Sequence, residues 1–338
     1  MSSPRFHLTR CATIAAVVCS SFVLCTAAHA APGDLVKHFT GRAFGLKNPN
    51  SIASDGSHVV IVNSGANSVA DVDARTGALV RLMKAKAYHF DSPTGVALDT
   101  THAWITNAAS NSLTEIDVAT GALVRVLSGA TYGFSSPYAI TEAGGRLWIA
   151  NLRGESLTEV NATSGAMVRV IKGTRYHFDG PVALVGDATH LWVANAGSSL
   201  TEIDVATGAL VKVLSGASYS FNSPNAVALS YHHVWVVNAG ANTLTELDAT
   251  TGALVKVIRS SSYGFDGANS IAADAHHLWI ANASGNSLSE LSATTGALVR
   301  VLKGPAYGLR GPRAITSDGA HVWVIDYKSN ALSELSAT

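Results

Sequence analysis

The chain repeats itself about every 44 residues, and a period of that length leaves few folds open. With Pro137 in YGFSSPYAI as a marker, equivalents stand at Pro49, Pro93, Pro181, Pro224, Ala268 and Pro312, so that the seven positions are spaced 44, 44, 44, 43, 44 and 44 residues apart. The one short interval loses its residue in ANAGSSL, Ala194 to Leu200. Seven copies at this period match the blades of a β-propeller, each built from four short strands.

Strands are read within a copy from alternation and turn residues. Strand A is the short run after the marker, AIT or VAL; strand B is LWIAN or VWVVN; strand C is NSLTEID; strand D is ALVRVL, reached through VATG or ATTG. One strand B position holds Trp104, Trp148, Trp192, Trp235, Trp279 and Trp323 in copies two to seven and Val60 in the first. A helical reading fails because clusters of Gly, Asn, Asp, Ser or Pro interrupt the chain every eight to twelve residues. Strand B is almost continuously apolar, as a sheet covered on both faces requires. The blades must therefore stack.

The two ends of the repeat array complement each other. The last copy runs through RAIT, VWVID and ALSELSAT and stops at Thr338 before any strand D, whereas GDLVKHF (Gly33 to Phe39) is a strand D with no A, B or C before it. Joining them completes a seventh blade and covers its open edge. The fold class expected is all-β: one seven-bladed β-propeller domain over residues 31–338, of four-stranded antiparallel blades, its ring closed by the N-terminal strand.

Residues 1–30 read as a signal peptide. Arg5, His7 and Arg10 precede an apolar run from Ala12 to Ala27, and Ala28-His29-Ala30 supplies small residues for cleavage before Ala31. Export to the periplasm or the extracellular space is expected. The three cysteines, Cys11, Cys19 and Cys25, all lie in this leader, and neither Cys19 nor Cys25 has a lipoprotein context. The mature chain is thus expected to carry no membrane anchor, disulfide or cysteine nucleophile. Of 23 basic residues, Arg5 and Arg10 leave with the leader, so 21 face 23 acidic ones. Nucleic-acid binding calls for a basic excess that this balance does not supply. A monomer is expected.

The phrases LWVAN (Leu191 to Asn195) and SLTEIDVATGALV (Ser199 to Val211), with SPYAI or SPNAV opening the next blade, resemble the YVTN and NHL-type repeat propellers of bacteria. The resemblance covers essentially the whole mature chain. It departs in placing Trp where that family usually has Tyr, and in the longer connection YGFSSP between strands D and A. It implies architecture more than activity, because the fold hosts binders, scaffolds and lyases alike.

Candidate functional residues are sought where one copy departs from the rest. His58, His102, His190, His233, His277 and His321 recur before strand B, with Arg146 in the remaining copy. Spread around a ring, they cannot converge on one substrate, and a structural role is expected. His89 and His177 replace Gly or Ser and precede Asp91 and Asp179 by two residues, but an exposed loop tolerates such changes.

Sharper departures lie in the loops between strands B and C, which share the upper rim with the start of strand A. The third copy has Arg153 and Glu155, and the seventh Asp326, Tyr327 and Lys328. The residue after the marker forms an inner circle of Asn50, Thr94, Tyr138, Val182, Asn225, Asn269 and Arg313. From these two circles the candidate ligand-binding set is Asn50, Tyr138, Arg153, Glu155, Asn225, Asn269, Arg313, Asp326, Tyr327 and Lys328. Several upper connections are basic, among them Lys303 and Arg310, which favours anionic ligands.

No catalytic residue, metal ligand or cofactor is assigned. The expected function is a secreted, non-enzymatic propeller that binds a partner protein, a peptide or a glycan on its top face. Two alternatives stand beside it. One is a lyase: the fold resembles the virginiamycin B lyase group, which opens a cyclic ester with a histidine base and a divalent metal. That role would fall to His89 or His177 with Glu155, Tyr138 or Arg153, although the group's motif has no match at these positions. The other is an architectural array that spaces envelope proteins.

Overall fold

The computed structural model describes residues 33–84 and 86–337. The expected signal peptide lies outside them. Seven antiparallel sheets of four strands follow one another around a ring, each in the spatial order A-B-C-D. In the first blade these are Pro49–Ser54, His58–Asn63, Ser68–Asp73 and Leu79–Lys84. The seventh contains Pro312–Ser317, His321–Asp326 and Ala331–Ser336, and its strand D is Leu35–Thr40 from the other end of the chain.

That closing strand pairs in the register of an ordinary strand D. His38 faces Ser333 and Phe39 faces Leu332, and the ladder slips once between Leu35 and Lys37. The same slip falls between Asp71 and Val72 in the first blade and between Glu115 and Ile116 in the second. Gly33 N donates to Ser336 O at 2.6 Å, and Ser336 N to Asp34 O at 3.0 Å. The expected circular completion is therefore present.

The core lies between blades, because each sheet has two apolar faces and, among the described residues, the one α-helix is the single turn Gly41–Phe44, too short to cover them. Strand B is buried at every position after its first residue in all seven blades. Its tryptophans are 0–1% exposed and reach toward the following blade. Trp279 packs with Ile315, Val322 and Val324 of the seventh blade, and Trp323 with Ile52, Val59 and Ile61 of the first. Where the first blade has Val60, a void of about 10 Å³ remains beside Met83, Ile116 and Gly121.

The long connection between strands D and A is built for packing. It makes a short 3-10 turn, such as Ala130–Tyr132, that ends on a residue with left-handed backbone, Gly133. Tyr132 then stacks on Phe134 with ring centroids 5.3 Å apart, and its hydroxyl donates to Gly165 O in the next blade's C–D turn at 2.9 Å. Tyr88 repeats this bond to Gly121 O at 2.9 Å. His89 (φ 56°) and His177 (φ 52°) occupy the position of Gly133. They are departures at the tip of a structural turn.

Candidate functional site at the channel mouth

The local device that builds the site is a β-bulge. Pairing of strands A and B begins at the marker residue and then skips the next one: Pro137 faces Asn151 and Ala139 faces Ala150, which leaves Tyr138 outside the ladder. The same skip releases Asn50, Val182, Asn225, Asn269 and Arg313, and in the second blade both Thr94 and Gly95. A bulge of this kind re-aims a side chain at a sheet edge. Because strand A is innermost in every blade, all seven inner-circle residues turn into one cavity of about 240 Å³ on the ring axis.

The cavity has a polar rim over an apolar shaft. Ile52, Val96, Ile140, Leu184, Val227 and Ile315 line it below the rim. Arg313 is the single charged residue in the lining. Its Nε and Nη2 both donate to Asn50 Oδ1, at 3.3 and 3.1 Å, so the guanidinium is tethered by a neutral partner. Asn50 Nδ2 donates in turn to Thr94 O at 2.9 Å, and Thr94 Oγ1 to Pro137 O at 2.9 Å. Across the mouth Asn225 Nδ2 donates to Asn269 O at 3.0 Å, while Asn269 Oδ1 is enclosed without a donor. A cation fixed by a neutral acceptor, with no carboxylate in the lining, is arranged to receive an anionic or carbonyl oxygen.

The candidate set is divided among several places. Asn50, Tyr138, Asn225, Asn269 and Arg313 share the channel mouth. Glu155 lies in a separate cleft of about 370 Å³ with Lys172, His177 and Asp179, and exposed Arg153 stands on the same B–C loop. Lys328 lines a cleft between the sixth and seventh blades, and Tyr327 beside it is 48% exposed. The two circles therefore do not merge, because each B–C loop folds back onto the D–A connection: Tyr327 N donates to Gly311 O at 3.1 Å and Leu152 N to Ser136 O at 3.0 Å.

Asp326 requires a correction. It is 0% exposed, and its Oδ1 accepts the Arg310 amide at 3.0 Å, so the carboxyl braces the loop and presents nothing to a ligand. Burial pushes it up to about 7, against the lowering effect of that amide bond.

The recurrent histidines have the structural role expected of them, with a partner that the sequence reading overlooked. Each faces a buried acid at the middle of strand C: His58 Nδ1 lies 2.9 Å from Asp71 and His233 Nδ1 lies 3.0 Å from Glu246, and Arg146 takes the same place 3.6 Å from Glu159. A strand D base completes the group. Arg169 Nε approaches Glu159 to 2.6 Å, and Arg169 also donates to Thr207 O in the next blade. Lys37 does this from the closing strand to Thr76 O, and Lys256 to Thr295 O. Burial holds Glu115, Glu159, Glu202 and Glu334 above the usual carboxylate range, while Arg125, Arg169, Lys212 and Lys37 respectively pull them down. The signal was present in the repeated Glu of TEID and the repeated base of VRV or VKV.

Among the described residues no group of three or more His, Cys, Asp or Glu is placed to hold a metal ion. The residues weighed for a metal-dependent lyase thus do not fit one: His177 shares its cleft with Glu155 and Asp179 without converging on a common point. No helix among the described residues is long and apolar enough to cross a membrane.

No protein-family model matches the chain, and no curated protein matches it in sequence. Solved structures do. The β-propeller domain of Myceliophteria thermophila Cps50 (Swd1) superposes with a TM-score of 0.72 at 15% identity, covering 91% of this chain and 100% of that one. The WD40 repeats of RRP9 give 0.75 at 10% identity, with 91% and 99% covered. A streptogramin B lyase gives 0.68 at 17% identity, with 88% and 96% covered. At these identities the likeness is one of fold.

Proposed function

We propose that this protein is an exported, non-enzymatic propeller that acts as a monomer and binds a partner protein, a peptide or a glycan on its top face, with the ligand's leading group seated in the channel mouth. The observation that carries the reading is the convergence of seven bulge residues on one cavity whose single charge is Arg313, tethered by Asn50. Tyr138 adds an aromatic edge, and Asn225 and Asn269 add amide groups suited to hydroxyls or peptide bonds. Arg153, Glu155 and Tyr327 stand on the surrounding rim, where a large partner reaches them.

Glycan and peptide arrays, followed by calorimetric titration of the hits, test the reading. Arg313→Ala and Tyr138→Ala are expected to weaken binding at least tenfold while leaving the melting temperature within a few degrees. Hits that bind both variants as well as the parent would remove the channel mouth as the site. Fractionation of the producing cells, with N-terminal sequencing of the recovered protein, tests export and the cleavage site before Ala31.

A further inference from the structure

We infer that the cleft between the sixth and seventh blades is a second binding site, independent of the channel mouth, for a ligand carrying phosphate or sulfate groups. Lys303, Arg310 and Lys328 all line this one cavity of about 590 Å³, and no acidic residue lines it. All three are exposed, and none lies within ion-pair distance of an acid among the described residues. Asp266 adjoins Gly285 at the edge of the cleft, and Asp326 is buried behind it with Oδ1 3.0 Å from Arg310 N; neither is part of the lining.

The repeat supplies an internal control. The position of Arg310 holds Asp91, Asp179 and Asp266 in three other blades, and that of Lys328 holds Gly65, Gly197 and Gly240. The equivalent cleft at Glu155 has mixed charge. The propeller architecture therefore does not require a cationic cluster here, and three like charges around one opening repel one another until an anion joins them.

The frame of the cleft is fixed. Gly311 N donates to Asn286 Oδ1 at 2.8 Å, Lys328 N to Arg310 O at 3.3 Å and Arg310 N to Asp326 Oδ1 at 3.0 Å, which locks both loops that carry the cations. The Lys328 stem packs over Gly311, where a Cβ would lie 2.9 Å from its Cγ. A guanidinium fork with two ammonium groups matches a dianionic tetrahedral ester better than a single carboxylate. The volume suits a ligand of one or two sugar units. A free phosphorylated sugar and a sulfated polysaccharide share this chemistry.

Calorimetric titrations at low salt would use inorganic pyrophosphate and dextran sulfate as probes, with plain dextran and polyglutamate as controls. Both anionic probes are expected to bind the full chain, with affinity falling at least tenfold in Lys303→Gln/Arg310→Gln/Lys328→Gln and unchanged in Arg75→Gln, an exposed base in the first blade's C–D turn. Tighter binding of pyrophosphate points to a small ligand, and tighter binding of dextran sulfate to a polysaccharide. The inference is overturned if neither probe binds, if the triple variant binds as the parent does, or if polyglutamate competes equally. Because Arg313 is intact in both variants, failure of one site leaves the other standing.

Discussion

A carboxylate stands in the seventh blade where the six others keep an amide. Asn107, Asn151, Asn195, Asn238 and Asn282 each end strand B and donate Nδ2 to a strand C hydroxyl at 2.9 Å. The seventh blade has Ser333 at the matching strand C position, its hydroxyl 2.9 Å from His38 Nδ1, and Asp326 Oδ2 has no partner. A carboxylate cannot donate there, and a protonated carboxyl can. With its native value raised to about 7 against 3.8, Asp326 contributes stability that is complete below pH 3.8 and lost as pH rises toward 7. Asp326→Asn should therefore remove a loss on the order of 4 kcal/mol and raise the melting temperature at pH 8 far more than at pH 4. Equal shifts at both pH values would contradict this account.

Glu155 invites the same exchange of an acid for an amide. Its equivalents Asn67, Asn111, Asn242, Asn286 and Asn330 adopt left-handed backbone and accept an amide of the next blade, as Asn111 does from Ser136 N at 2.7 Å. Glu155 has φ 44° without the residue type that favours it. Glu155→Asn is expected to stabilise by about 1 kcal/mol, seen as a rise in the urea midpoint. A lowered midpoint would show that Glu155 already has the better local contacts.

Between strands, the repeated clamp of acid and base does two tasks: it places a cation beside a buried carboxylate and, among the described residues, ties strand D to the next blade in six of the seven blades. Arg169→Met strips Glu159, which is 1% exposed, of its nearest cation and removes the contact to Thr207 O. Removing one partner of a buried pair costs about 3 kcal/mol, more than removing both. The double variant Glu159→Gln/Arg169→Met should therefore be more stable than the single in urea titration. If it is less stable, the clamp contributes mainly by packing. This is also the scale at which the sequence was most legible. Period, turn residues and the tryptophan position were enough to place strands, because each is a local consequence of a sheet buried on both faces. The bulge after the marker was not legible, since it appears only when strands A and B are aligned, and it is what gathers Asn50, Tyr138 and Arg313 while leaving Lys328 in another cleft. The clamp was present in every copy, but a search for departures passes over what never departs.

At the level of the whole ring, departures at core positions fall on the two blades that flank the closure, beside those on the surface of the third. The first blade has Val60 in the tryptophan position, Asp71 in place of Glu, and Asn63 enclosed with neither amide atom paired, because Ala70 occupies the hydroxyl position of strand C. The seventh blade has Asp326 and a strand D whose partners are more than 290 residues away in the chain, His38 facing Ser333. Imperfectly paired polar groups thus flank the seam, and the long-range strand spans it. The geometry there is that of an opened hairpin turn. In the fourth blade, three residues lie between Asp204 and Gly208, and Gly208 N donates to Asp204 O at 2.8 Å. Ser336 and Gly33 make the equivalent bond at 2.6 Å. A permuted chain that starts at Gly41 and continues from Ser336 through Ala337, Thr338 and one added Thr into Gly33 to Thr40 restores that turn. The permutant keeps every contact within the seventh blade but makes strand D local to strand C, leaving the first and seventh blades joined only by side chains. It should fold faster, because closure no longer spans the chain, and unfold faster, because no strand crosses the seam. Stopped-flow folding in urea measures both arms, and a permutant that unfolds as slowly as the parent would show that interblade packing, rather than the shared sheet, holds the ring closed.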